Sequence, residues 1–502
     1  MARIGRFRFA ALVGLALIGL PVKADAAIIY VDSTALGSNN GTSWSNAYTS
    51  LVTAISAAAD GDHLWVAEGE YKPGTARADS FDLPSGVKIY GGFDGDETVL
   101  GERPVVKYGN SATTLSGDGA NPSISTDNAY HVVRTEPNVE EGELNGFIIR
   151  GGSYIEGSEE DDPLYRRGAG MLMMNGVYGV TDCLFEDNTA IAGGGLYVDA
   201  VDSVGAIMLT RCAFLRNTAE AGEEEGTGDG GAIFTKAEEF VFLLGKIEVS
   251  EATNFGGGLA TDIAAQSDEN STILRNVLFL TNLAEEYYGG AIYLRGGDKM
   301  SLQLTNCTLK ENTADADDSG AGLYCNGNAE VVTIKNSILW DNYYGTSQID
   351  YADQIAGCDE SITYSVVRGL TTGTGNFSAD PSFTSTGRIQ TGSPCRDAGN
   401  NTGVTWSEDI DGLPRIIGTT VDIGVNELLC IQYCPCYGDA DCDGDVDTDD
   451  RDFVSANYGC NTADITNCAC MHSDIDGNGI VNPADRGLIS TMLGSCLTNP
   501  PA

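Results

Sequence analysis

Apolar and polar residues alternate through the middle of the chain, as in Cys183 then Phe185 or Leu196 then Val198. That is the period of a β-strand with one face buried. The strands come in repeating units: "CLFEDNTAIAGGGLYV" from Cys183, "CAFLRNTAEAGEEEGTGDGGAIFT" from Cys212, "VLFLTNLAEEYYGGAIYL" from Val277, "CTLKENTADADDSGAGLYC" from Cys307 and "SILWDN" from Ser337. A degenerate unit ends at Asn254 and continues Gly256-Gly257-Gly258-Leu259. Aligned on Asn188, Asn217, Asn254, Asn282, Asn312 and Asn342, most steps are 28 to 30 residues, with one of 37. A strand, an Asn turn, a glycine pair and another strand at this period describe one coil of a parallel β-helix, its coils stacked ~4.8 Å apart. The repeated Asn then bonds its own turn and the next. Cys183 and Cys212 fall in one column of adjacent coils, which suits either a disulfide or a buried thiol ladder.

Upstream, the period changes. Ala47, Leu51, Ala54, Ile55 and Ala58 share one helical face, and such a helix suits an N-terminal cap over the first layer of a solenoid. The runs "HLWVAEG", "VKIYGGF", "AYHVVRT" and "LNGFIIRGG" predict the early, less regular coils.

The ends of the chain carry different signals. Arg3, Arg6 and Arg8 precede an apolar run from Ala10 to Leu20, and Ala24-Asp25-Ala26 offers a cleavage site, so residues 1–26 read as a secretory signal peptide. The expected product is secreted, extracellular or on a cell surface, with no membrane span. A net charge of −44 over 502 residues argues against nucleic acid and anionic membranes. Fourteen cysteines fit an oxidising compartment, and Cys430, Cys434, Cys436, Cys442, Cys460, Cys468, Cys470 and Cys496 crowd the C-terminal region. Their C-x-C spacing favours disulfides over zinc.

The C-terminal region also carries a charge pattern that needs a cation. Asp439, Asp441, Asp443, Asp445, Asp447 and Asp450 take places one, three, five, seven, nine and twelve of a loop with Gly444 at six. Asp474, Asp476, Asn478, Ile480, Asn482 and Asp485 repeat it around Gly479. Oxygens at alternating places wrap one calcium ion, and glycine permits the bend. Phe453, Val454 and Tyr458 after the first loop, and Leu488, Ile489, Met492 and Leu493 after the second, predict a short helix each.

Together these residues carry two resemblances. The repeats, with "IYGGFDGDET", "DPSFTSTGRIQTGSPCRDAGNN" and "DIDGLPRIIGTTVDIGVNE", resemble secreted bacterial right-handed parallel β-helix proteins of the pectin-lyase-like superfamily and the repeats of polymorphic outer membrane proteins. The last stretch is similar to a C-terminal segment of surface proteins whose anchoring devices vary. Residues 438–502, with two loop–helix units, resemble a type I dockerin. That resemblance implies side-chain ligation of calcium by Asp439, Asp441, Asp443, Asp450, Asp474, Asp476, Asn478 and Asp485, backbone carbonyls from Asp445 and Ile480, and a cohesin-like or other surface-protein partner. Thr448-Asp449 and Pro483-Ala484 depart from the usual hydroxyl residues at the partner-contacting places. A calcium-dependent folding unit without a partner is the alternative. The expected organisation is an all-β right-handed parallel β-helix over 27–429, a linker at 430–437 and the small α-helical calcium-binding module at 438–502.

Catalytic candidates are diffuse. Glu159, Glu160, Asp161 and Asp162 precede Arg166 and Arg167, and Glu223, Glu224, Glu225 and Asp229 occupy the corresponding turn one coil later. Side by side they predict an acidic rim. His63, His131 and His472 are not spaced for a triad or a metal pair. The functional expectation is a secreted carbohydrate-contacting or structural solenoid attached to a cell surface or extracellular complex by its calcium-dependent module. The alternatives are a polysaccharide lyase or glycoside hydrolase, and an adhesin. Clustered carboxylates with a basic residue on one sheet face favour an enzyme, and exposed aromatics favour binding.

Overall fold

Short strand-period segments, many of them ended by a residue in left-handed backbone, wind into a parallel β-solenoid of the right-handed type with about nine turns. The computed structural model describes residues 26–428 except 122–123, 136–138, 155–162, 175, 201–206, 223–226, 264–269, 297–299, 317–319, 327–330, 345–349 and 391. Beyond these it describes 448–456, 458, 480–484, 486 and 488. The signal peptide, the 430–437 linker and most of both calcium loops therefore lie outside the described residues.

One coil shows the path. Ile207–Thr210 and Ala213–Leu215 lie in a first sheet, Thr218–Ala219 in a third and Ile233–Thr235 in a second. In Ile207–Thr210 the inward Ile207 and Leu209 are buried and the outward Met208 is exposed. The first bend is left-handed at Asp182 (φ 55°), Arg211 (49°), Asn276 (52°), Asn306 (53°) and Asn336 (50°). Short polar side chains tolerate that region best. At the glycine corner, a Cβ on Gly193 (φ 58°) would come within 2.3 Å of the Leu196 carbonyl oxygen, and one on Gly230 within 2.3 Å of that of Ile233. Only glycine fits there. Inside, like stacks on like: the Phe185 and Phe214 rings lie 4.7 Å apart and nearly coplanar in orientation, at 4°.

Buried amides hold the second bend. Asn188 Nδ2 donates to Asn217 Oδ1 (3.0 Å), Asn282 Nδ2 to Asn312 Oδ1 (2.9 Å), Asn312 Nδ2 to Asn342 Oδ1 (2.8 Å) and Asn342 Nδ2 to Gln354 Oε1 (2.8 Å). Asn254 is not in this column. Its place belongs to Ser250, whose Oγ accepts from the Asn217 amide 33 residues back and whose amide donates to Asn282 Oδ1 32 residues on. Asn254 instead bonds the Thr227 carbonyl at the glycine corner. The apparent steps of 37 and 28 residues are thus coils of 33 and 32, with a hydroxyl standing in for an amide. Asn312 also donates to the Phe279 carbonyl and accepts from the Asn282 amide. Asn312→Ala strands several buried groups, each worth about 1–3 kcal/mol. It is expected to cost about 3 kcal/mol, read as a lowered urea midpoint; an unchanged midpoint would contradict the ladder's role.

At the N-terminal end, the helix Leu51–Ala57 buries Leu51, Ala54 and Ile55 in the main core, and Ser50 Oγ accepts from the Thr53 amide at its start. Cys183, Cys212 and Cys307 are free buried thiols whose Sγ atoms lie against strand carbonyls, so of the two alternatives the thiol ladder is what forms. Cys325–Cys358 is a disulfide joining the last two coils.

After Val366–Val367 the chain turns back, and residues 377–428 run as a strap over the outer face of the first sheet. The left-handed bend asparagines fasten it. Asn276 Nδ2 donates to the Glu408 carbonyl, Asn306 Nδ2 to those of Asp422 and Gly424, and Asn336 Nδ2 to that of Asn400. Ile389, Cys395 and Ile423 pack on Ile338, Trp340 and Val366. Ile410 and Val425 pack on Leu278 and Leu280. Tyr108, from a loop near the N-terminal coils, donates its hydroxyl to the Ile410 carbonyl at 2.6 Å. Among the described residues no helix is long and apolar enough to cross a membrane.

Candidate functional site on the second sheet

The outer face of the second sheet carries two columns of side chains. Cross-strand register places Leu172, Tyr197, Phe234, Ala260, Tyr293 and Tyr324 in one. The next outward column includes Asp262, Arg295 and Asn326, with Asp199 paired to Met174 below. These outward residues form their own apolar cluster with Ala192, against which Met174, Phe255, Tyr288 and Tyr324 pack. Tyr197 and Phe234 stack at 5.2 Å and 2°, and Tyr293 and Tyr324 at 5.9 Å and 5°.

The glycine corner adds a third column over the first. Isolated parallel bridges link Arg167, Ala192, Asp229 and Phe255 in successive coils, each just ahead of its corner glycine. Corner residues reach over the sheet position of the following coil: the Phe255 ring stacks on Tyr293 at 4.4 Å, and Tyr288 on Tyr324 at 4.2 Å. The same register sets Asp229 over Ala260, the one small residue between Phe234 and Tyr293. Ala260 is itself fully buried.

Asp229 is 3 % exposed, its carboxylate is hydrogen-bonded by the Phe255 amide, and its Oδ1 has no hydrogen-bond partner. Burial pushes its carboxyl up to about 7, with Arg295 opposing and Asp262 adding to the rise. One coil on, Asp262 accepts two hydrogen bonds from Arg295, Nε to Oδ1 at 3.1 Å and Nη2 to Oδ2 at 2.8 Å. This forked pair lies in the column beside the aromatic one, with both side chains partly exposed. Asn326 Nδ2 donates to the Tyr293 hydroxyl at 2.8 Å. On the Tyr197 side, Arg167 Nη1 donates to the Tyr197 hydroxyl (3.3 Å), and Lys236 Nζ lies 5.9 Å from the Tyr197 and Phe234 ring centroids. Tyr287, 42 % exposed, stacks on Phe255 at 5.0 Å and brings the aromatic surface to solvent. Aromatic faces beside a few fixed polar groups suit the mixed apolar and hydroxyl surface of a sugar.

The residues expected from sequence are distributed otherwise. Glu159, Glu160, Asp161, Asp162, Glu223, Glu224 and Glu225 lie outside the described residues. Arg167 and Asp229 do share one column, but Ala192 stands between them, so they are two coils apart rather than adjacent. The shift arises because the Gly193 corner takes a full turn of its own. Arg166 stands by the Tyr154 ring. His131 is buried, Nδ1 against the Gly168 carbonyl, and His63 packs on Tyr90, its pKa lowered by burial. His472 lies outside the described residues, as do the calcium-loop positions Asp439, Asp441, Asp443, Asp445, Asp474, Asp476, Asn478 and Asp485. Asp450 falls in the helix Thr448–Ala456, and Ile480 offers its carbonyl to Asn482 Nδ2 at 2.9 Å. Among the described residues no group of three or more His, Cys, Asp or Glu is placed to hold a metal. Asp262, Arg295 and Asn326 were not singled out from sequence, although each occupies the sixth place after its coil's first corner glycine.

No family model and no curated protein matches the chain. Among solved structures it is similar to pectate lyase Pel9A, at 12% identity over 80% of this chain and 97% of that one, with a TM-score of 0.41. It is also similar to a deglycosylated pectin methylesterase from Aspergillus niger, at 14% identity over 64% of this chain and 90% of that one, with a TM-score of 0.33.

Proposed function

We propose that the protein is a secreted solenoid that contacts polysaccharide with the outer face of its second sheet. The observation carrying this reading is the aromatic surface of Tyr287, exposed, with Phe255, Tyr288 and Tyr324, partly exposed, stacked on the buried Tyr197, Phe234 and Tyr293 column and bordered by the Asp262–Arg295 pair. Stacking on the buried column fixes the exposed and partly exposed rings, so little side-chain entropy is lost when a sugar settles on them. The N-terminal helix serves as a cap on the first coil, and residues 438–502 serve as a calcium-dependent dockerin-like tether to a surface protein. In the tether, Asp439, Asp441, Asp443, Asp450, Asp474, Asp476, Asn478 and Asp485 ligate calcium through side chains, and Asp445 and Ile480 through carbonyls.

Affinity electrophoresis of the full chain through gels containing neutral or acidic polysaccharide tests the contact. At least one polysaccharide is expected to retard it equally with calcium and with chelator, because the contacting face belongs to the solenoid. Tyr287→Ala, which removes the exposed ring, is expected to weaken retardation about 3- to 10-fold. Migration unaffected by every polysaccharide would refute the reading.

A further inference from the structure

The aromatic surface on the second sheet has a charged border that contact with a neutral sugar does not require. Tyr287 is 42 % exposed, and Phe255, Tyr288 and Tyr324 are partly exposed beside it. Aromatic faces attract cations as well as the C–H groups of a sugar. The two residues just ahead of Tyr287 are Glu285 and Glu286, both exposed.

The third sheet carries this charge from coil to coil. Its strands pair Ala219 with Ala252, Ala252 with Ala284 and Ala284 with Ala314, so the positions that follow, Glu220, Thr253, Glu285 and Asp315, fall in one row. The Thr253 amide bonds the Ala219 carbonyl and the Glu285 amide that of Ala252, which extends the register one residue past the strands. Glu286 keeps it, its amide bonding the Thr253 carbonyl. Successive coils stand ~4.8 Å apart, so Glu285 and Asp315 offer negative charge at the edge of the aromatic surface in neighbouring coils. Glu220 and Asp315 are exposed like Glu285 and Glu286, and none of the four carboxylates meets a cation among the described residues. Arg295, the cation of the adjoining sheet column, is committed to Asp262.

We infer that the ligand of this surface is a polysaccharide whose sugars carry free primary amines, its ring faces on Tyr287 and Tyr288 and its ammonium groups toward Glu285, Glu286 and Asp315. This rests on the polysaccharide-contacting reading and names the class of sugar. Each part of the surface answers one part of such a ligand. The rings take the apolar face of a pyranose, and the uncompensated carboxylates take the charges that recur along the polymer. A neutral chain gains the stacking alone. A polyuronate is repelled by the acidic row and by a net charge of −44.

The test is isothermal titration of the full chain, with calcium present and at about pH 6, using a glucosamine hexasaccharide, an N-acetylglucosamine hexasaccharide and hexalysine. N-acetylation keeps the ring and removes the charge, whereas hexalysine keeps the charge and removes the ring. The glucosamine hexasaccharide is expected to bind at least about 10-fold more tightly than either of the others. Tyr287→Ala is expected to weaken it about 3- to 10-fold while hexalysine binds as before. Glu285→Gln combined with Glu286→Gln is expected to weaken it at least about 5-fold. Equal affinity for the two hexasaccharides overturns the amino-sugar assignment and leaves the contact reading standing. Hexalysine bound as tightly as the glucosamine hexasaccharide, or undiminished affinity in either variant, also overturns it, because general attraction to an acidic chain then suffices. No binding of either hexasaccharide overturns the assignment, and if no polysaccharide retards the chain in the gel both readings fall together.

Discussion

Arg415→Ala is expected to lower stability by about 3–5 kcal/mol, the cost of the cavity left by a large buried side chain together with two stranded carbonyls. Arg415 is 1 % exposed and belongs to the strap. Its Nη2 donates to the Asp422 carbonyl at 2.7 Å and the Gly424 carbonyl at 3.0 Å, and it lies 3.3 Å from Glu427 Oε1. The carboxylates around it pin backbone. Glu427 accepts from the Asp422 amide, Asp422 from those of Asp397 and Leu428, and Asp409 from those of Asp411, Leu413 and Glu427. Truncating Arg415 removes a donor from the Asp422 and Gly424 carbonyls and opens the turn that presents them to Asn306. Thermal unfolding with limited proteolysis reads both effects. A lower midpoint with early cleavage between 377 and 428 is the expected outcome, and a wild-type midpoint and digest would contradict it.

The same network sets a pH dependence. Burial raises Glu427 to about 9 and Asp422 to about 6, and it raises Asp409 as well; Asp229, at the candidate site, shifts to about 7. Ordinary carboxyls titrate near 4. Each of these groups therefore holds its proton in the folded chain at pH values where the unfolded chain has lost it, so unfolding releases protons and stability falls as pH rises. The contribution is fully present below about pH 4, declines as pH rises above it, and is lost once pH passes each folded value, about 6 for Asp422, 7 for Asp229 and 9 for Glu427. Melting temperature is expected to fall from pH 5 to pH 9, and Glu427→Gln, which cannot ionise, is expected to flatten the part above pH 7. A flat profile for wild type across that range would contradict the assignment.

The coil could be read from sequence because its determinants are local. Alternation, a bend residue and a corner glycine fall within a dozen residues of one another. The alignment slipped at Asn254 because Ser250 does the work of an asparagine there, while "NFGGG" imitates the usual spacing four residues later. The candidate site was less visible because neighbours in a solenoid stand about 30 residues apart. Searching along the chain found runs such as 159–162 and 223–225, whereas Asp229, Asp262 and Arg295 come from three successive coils and are seen together only down the columns. Asp229 itself was noticed, as the end of an acidic run, but nothing local marks it as buried. The strap had no period to read. Its contacts reach coil bends 64 to 132 residues away, and the motif "DIDGLPR…VDIGVNE" resembled other surface proteins before its buried Arg415–Glu427 pair gave it a physical purpose.

Which face of the solenoid meets the ligand decides its function. Hydrogen–deuterium exchange of the full chain, with and without a saturating oligosaccharide from the polysaccharide that retards it, would locate that face. Slower exchange confined to Leu196–Asp199, Ile233–Thr235, Leu259–Ile263, Ile292–Gly296 and Leu323–Asn326 is the predicted result. Protection on the first sheet or the strap, with these strands unchanged, would contradict it.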